Sequence, residues 1–80
     1  MARRLTLGAR VRKLRLEEGY TLSALSERTS ISVSYLNDIE HDRTVPSLAR
    51  LQQIAQALGL DARGLLEGVH PFGTQTSRTR

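Results

Sequence analysis

Eighty residues with 12 Lys or Arg against 8 Asp or Glu, a net charge of +4 and no cysteine leave room for one small domain and exclude a disulfide-stapled fold. A chain this short buries only about 60–65% of the surface its unfolded form exposes, which favours short helices packed on a single centre. The longest apolar runs are pairs such as Leu65-Leu66, far below the ~20 residues of a membrane span, and no apolar signal core follows Arg3-Arg4, so no membrane partner and a cytoplasmic location are expected.

The first predicted element is a helix over about residues 7–18, with Leu7, Val11 and Leu14 at i, i+4, i+7 behind a Thr6 N-cap. Gly19 stands where it should end and Tyr20 is placed to fold back on it. Arg3, Arg4, Arg10, Arg12, Lys13 and Arg15 precede the first acid, Glu17, so half of the positive charge lies in this leading segment. Such a block attracts a polyanion. Thr21 can cap a second, short helix carrying Leu22 and Leu25, which runs out in the polar Arg28-Thr29-Ser30. Ser32 caps a third helix, about 33–41, with Ile31 and Leu36 at the two positions of a hydrophobic staple. Residues 42–46 form a polar connector, because Pro46 disfavours helix at Val45. Ser47 caps a fourth helix, about 48–58, whose Leu51, Ile54, Ala55 and Leu58 mark one face before Gly59. Asp61 caps a last one, about 62–67, with Leu60 and Leu65 as a second staple. Residues 1–68 are thus expected to form the domain and 69–80 a flexible tail, since little beyond Val69, Pro71 and Phe72 is able to bury itself. No strand alternation or repeat is present, and the predicted class is all-α: a compact domain of five short helices.

The segment from Thr21 to Ile39 combines a short capped helix, a polar turn and a second capped helix with one face free. At roughly 100° per residue from Val33, the apolar Tyr35, Ile39 and Leu36 fall near 200°, 240° and 300°, and Val33, Asn37, His41, Ser34 and Asp38 occupy about 0° to 140°. That free face is uncharged at its start. Ser, Asn and a small apolar side chain are types that meet base edges and thymine methyls in a major groove, whereas an ordinary solvated face more often carries Lys, Glu or Gln. Ser32, Val33, Ser34, Asn37 and Asp38 are therefore the candidate base contacts. The Asp38 carboxylate is two-sided, able to accept from cytosine but repelled by phosphate.

The run from Leu25 through Glu40 (LSERTSISVSYLNDIE), followed by Arg43-Thr44-Val45-Pro46-Ser47-Leu48, resembles the helix-turn-helix of the Cro and phage-repressor (XRE) family. The resemblance covers about residues 5–68 and implies a five-helix repressor head, its third helix in the major groove and its second across the backbone. It further implies an ion pair between Arg15 and Glu40, and phosphate contacts from the region of Thr21 and Leu22, from Arg43 and from Ser47. His41, at the far end of the free face, is a further phosphate candidate. Departures from the pattern are Ser26 in place of a small Ala, Ser30 where Gly usually opens the turn, Leu22 where Gln commonly touches DNA, and Asp42 in place of Gly. Ser30 would cost roughly 1 kcal/mol in a left-handed conformation, which Asp42 tolerates better. A shorter resemblance, over Leu65 to Val69 and the aromatic-Gly segment beyond, links the chain to the DNA-binding half of damage-response repressors of radiation-resistant bacteria.

Two histidines, His41 and His70, without cysteine do not make a usual zinc site, and no Gly-rich loop ending in Gly-Lys-Ser/Thr is present. No enzyme, cofactor, metal or catalytic residue is expected. The expected function is a sequence-specific transcriptional regulator, a repressor binding a palindromic operator in double-stranded DNA as a homodimer, because one short helix reads only a few base pairs. An alternative is an antitoxin-type module that binds a protein partner. A further regulatory domain following this head is also consistent with the sequence.

Overall fold

The computed structural model describes residues 5–69. Five helices follow in order: α1 (Leu7–Glu17), α2 (Leu22–Thr29), α3 (Val33–Glu40), α4 (Leu48–Ala57) and α5 (Ala62–Leu66). Each starts where a hydroxyl or carboxylate accepts from the amide three residues on: Thr6, Thr21, Ser32, Ser47 and Asp61 serve α1 to α5 in turn. Three of the ends share one device. Gly19, Asp42 and Gly59 hold left-handed backbones, and paired amide bonds run back into the last turns of α1, α3 and α4, closing carbonyls that would otherwise be orphaned. Each helix ends within a residue or so of its expected terminus.

The faces selected by helical spacing meet in one core, with Val11, Leu25, Ile31, Leu36, Ile39, Ile54 and Leu65 fully buried. α1 packs on α3 and α5, α2 on α3 and α4, and α4 on α5. The α1–α3 crossing is a backbone approach: a Cβ on Gly8 would lie 2.3 Å from the Ile39 carbonyl oxygen and 2.5 Å from that of Glu40. Only a glycine fits there. The same Gly8 amide donates to Asp42 Oδ1 at 3.0 Å, so the residue that closes α3 also binds the start of α1.

Two expectations change. Val69, assigned to the tail, is half-buried against the core and bridges in parallel to Leu5, whose amide donates to the Gly68 carbonyl at 3.1 Å. The domain therefore runs at least to Val69; the rest of the proposed tail and the Arg3-Arg4 pair lie outside the described residues. The basic leading block is also not one surface. Arg10 donates through Nε to the Leu65 carbonyl and through Nη2 to that of Gly64, both at 3.1 Å, while Arg15 is buried. Their charge caps α5 and joins α1 to α3, a division that sequence proximity hides because the partners lie 25 to 55 residues away.

Candidate nucleic-acid interface

α2 and α3 are joined by a turn with one strained residue and one anchor. Ser30 sits at φ 61, ψ 21, the left-handed region that opposes a Cβ, and its amide closes α2 onto the Ser26 carbonyl at 2.8 Å. Ile31 then drops into the core at 1% exposure. Just before them Thr29 Oγ1 donates to the Leu25 carbonyl at 2.8 Å and accepts from the Ile31 amide at 3.2 Å. Thr29 reads in sequence as part of a polar run; its 4% exposure shows it to be the internal strut of the turn. The exit angle of α3 is thereby determined.

The opposite end of α3 is held as firmly. Arg15 Nε donates to Glu40 Oε2 at 2.7 Å and Nη2 to Oε1 at 3.0 Å, a two-pronged contact, while Nη1 donates to the Tyr20 carbonyl at 2.8 Å. Side-chain exposures of 9% and 2% leave the pair nearly dry. The hydrogen bond to Glu40 raises the Arg15 pKa above its ordinary value despite opposing desolvation, so the guanidinium stays charged. With Gly8 pressed on the last carbonyls, α1 clamps the C-terminal turn of α3 while α2 and Ile31 hold the beginning.

What α3 leaves outward is the face derived from its spacing. Ser32, Val33 and Ser34 are exposed, Asn37 and Asp38 half-buried, and Leu36, Ile39 and Glu40 inward. Val33, 40% exposed at the first turn, is an apolar group offered to solvent. His41 Nδ1 donates to the Asn37 carbonyl at 2.9 Å, leaving Nε2 outward. The cap hydroxyls of Thr21, Ser32 and Ser47 each accept an amide bond within their own helix and retain a hydrogen to donate. Leu22 is placed differently from the other phosphate candidates: its side chain packs against the core, leaving only its first-turn amide to meet an anion. Arg43 is exposed but not free, since Nη1 donates to Asp38 Oδ1 at 3.0 Å. Around the site two cation–ring contacts stiffen the frame, Arg28 over Tyr20 at 4.5 Å and Arg50 over Tyr35 at 5.5 Å.

Sequence reasoning missed Gly8, Arg10 and Thr29 as positioning residues, because each acts on a backbone group remote in sequence or indistinguishable in type. Among the described residues no cluster of His, Cys, Asp or Glu is arranged to hold a metal ion, and no helix is long and apolar enough to cross a membrane.

Residues 11–65 match the helix-turn-helix family HTH_3. The chain is 46% identical over 68 residues to the HTH-type transcriptional regulator DdrOP3 of Deinococcus deserti, covering 85% of this chain and 53% of the relative. It is 40% identical over 62 residues to the immunity repressor of Bacillus phage phi105, covering 78% and 43%. The chain therefore spans about half the length of these curated relatives. Its fold superposes on SinR, a master regulator for biofilm formation solved in complex with DNA, with a TM-score of 0.72 and 35% identity over 76% of this chain and 98% of that one; SinR is a Bacillus subtilis protein.

Proposed function

Because the chain belongs to the helix-turn-helix (HTH_3) family, whose relatives here are DNA-binding transcriptional regulators, we propose that it is a repressor that reads a palindromic operator as a homodimer, with α3 in the major groove. The observation that carries this reading is the outward face of α3: uncharged over its first turn, apolar at Val33, amide-bearing at Asn37, and held at both ends by buried contacts. Rigid support matters because each base contact depends on placement, and a recognition helix held at one end only would lose entropy on docking.

In this arrangement Val33 meets a thymine methyl and Asn37 pairs with adenine N6 and N7, while Ser32 and Ser34 supply adaptable hydroxyls. The first-turn amides of α2 and α4, with the hydroxyls of Thr21 and Ser47, hold phosphates. His41 Nε2 faces the backbone beside them. Two subunits would place their α3 helices in successive turns of the groove, about 34–36 Å apart, doubling the sequence read.

Selection of bound sequences from a random duplex pool tests the reading directly. A selected site with two inverted half-sites one helical turn apart is expected. Val33→Ala and Asn37→Ala should each weaken that site by about 1–3 kcal/mol and leave a scrambled duplex almost unaffected. Equal losses on both duplexes would show that α3 is not the reader. Absence of any selected sequence, together with capture of a small protein partner, would favour the interaction-module alternative.

A further inference from the structure

We propose that Arg43 and Asp38 form one unit that reads a G·C pair, Arg43 donating to guanine while Asp38 holds the guanidinium and accepts from cytosine. This rests on α3 being the recognition helix. The position of Arg43 in the loop after α3 suggests a phosphate contact, but its surroundings favour a base. Two bonds draw it back to the helix: its amide donates to the Asp38 carbonyl at 2.9 Å and its Nη1 to Asp38 Oδ1 at 3.0 Å. Asp42, left-handed at φ 59, makes the turn that permits both.

The side chains are 56% and 44% exposed, so their pairing contributes little to folding, and its consequence is orientation. A phosphate bound to this guanidinium would lie beside the Asp38 carboxylate, like charge against like. A G·C pair presents the opposite pattern. Its major-groove edge offers the guanine O6 and N7 acceptors to an arginine and the cytosine N4 donor to a carboxylate, so both halves of the ion pair find a partner on one base pair. Arginine also has the donors to spare, since one of its five N–H groups serves Asp38 and the Nε and Nη2 edge remains for a two-pronged contact. Pairing in advance removes rotamer freedom that a solvent-exposed arginine would otherwise lose on binding. Asp38 is then a positioning residue for Arg43 as well as a reader, and it disfavours binding where the base pair does not match.

Affinities of the whole chain and its variants for the selected duplex, for that duplex with each half-site G·C pair changed to A·T, and for a scrambled duplex test the unit. The unchanged protein should lose about tenfold or more at one G·C position per half-site. Arg43→Lys, which keeps the charge but not the planar fork, should weaken that discrimination and leave scrambled-duplex binding nearly unchanged, and Arg43→Ala should remove most of it. Asp38→Asn should reduce the discrimination and tighten scrambled-duplex binding, since a negative charge leaves the interface, and in the Arg43→Ala background it should remove only what discrimination remains. Far-UV circular dichroism confirms that these surface variants remain folded. Retained discrimination in Arg43→Ala, with all three duplexes weakened equally, would identify Arg43 as a phosphate contact and overturn the proposal. Should the unchanged protein select a site that depends on Val33 and Asn37 but on no G·C pair, only this unit fails; should it select no site, the recognition-helix reading fails with it.

Discussion

Replacing Glu40 by alanine removes both acceptors of the Arg15 fork in a pocket where the arginine side chain is 9% exposed and the glutamate 2%. Two charge-assisted bonds, of 2.7 and 3.0 Å, disappear at once, and only the Tyr20 carbonyl still faces the guanidinium. Stranding one member of a buried pair typically costs about 3–5 kcal/mol, because the remaining charge has lost its compensation without regaining water. Against the ~5–15 kcal/mol that holds an ordinary domain, this is a large fraction. With a urea slope of about 1 kcal/mol per molar for so small a protein, the midpoint should fall by about 3–5 M. Equilibrium urea unfolding followed by circular dichroism measures it. Arg15→Met combined with Glu40→Leu should recover most of the loss, since two apolar groups strand no charge, so the double-mutant cycle separates pairing from burial. The pH dependence has a defined sign: with the Arg15 pKa raised, its contribution is fully present below the ordinary arginine value and is lost only as pH rises through the higher folded one. A loss under about 0.5 kcal/mol for Glu40→Ala would place the pair in solvent and refute the reasoning.

Gly8→Ala should destabilise by about 1–3 kcal/mol or more, because its Cβ would meet the Ile39 and Glu40 carbonyl oxygens at 2.3 and 2.5 Å; wild-type stability on urea unfolding would show that α1 slides freely. Ser30→Gly should stabilise by roughly 0.5–1 kcal/mol by relieving φ 61, with an unchanged or lower midpoint counting against strain at the turn. Asp42→Gly relieves a similar φ of 59 but loses the Oδ1 bond to Gly8, so it should gain less than Ser30→Gly or be destabilising; an equal gain would show that the cap contributes nothing. DNA affinity should fall as salt rises, with a log-log slope of about −0.9 for each phosphate the protein neutralises, and a flat response would count against an electrostatic interface. Arg10→Gln should lower stability by about 1–3 kcal/mol yet leave that slope unaltered, and a shallower slope would return Arg10 to the DNA surface.

Much of the fold is legible in the chain because its signals are local. The caps Thr6, Thr21, Ser32, Ser47 and Asp61 each bond three residues ahead, and Leu51, Ile54, Ala55 and Leu58 mark a face by spacing alone, so helix starts, ends and inward sides follow from neighbours within one turn. The outward face of α3 is the complement of that inward one, and it too could be drawn from Leu36 and Ile39. Only tertiary structure decided how the charges are used. Arg10, Arg12, Lys13 and Arg15 read as one basic block, yet Arg10 closes α5, Arg15 meets Glu40, and Lys13 reaches only the exposed Glu17 at 4.0 Å. Likewise Gly8 is an unremarked helical glycine until α3 arrives against it, and Arg43 is a loop cation until the Asp42 turn brings it beside Asp38. A side chain's periodicity is a property of its own helix, but the partner of a charge or of a bare backbone is a property of whatever chain folding places there, and over 25 to 55 residues no local pattern encodes it.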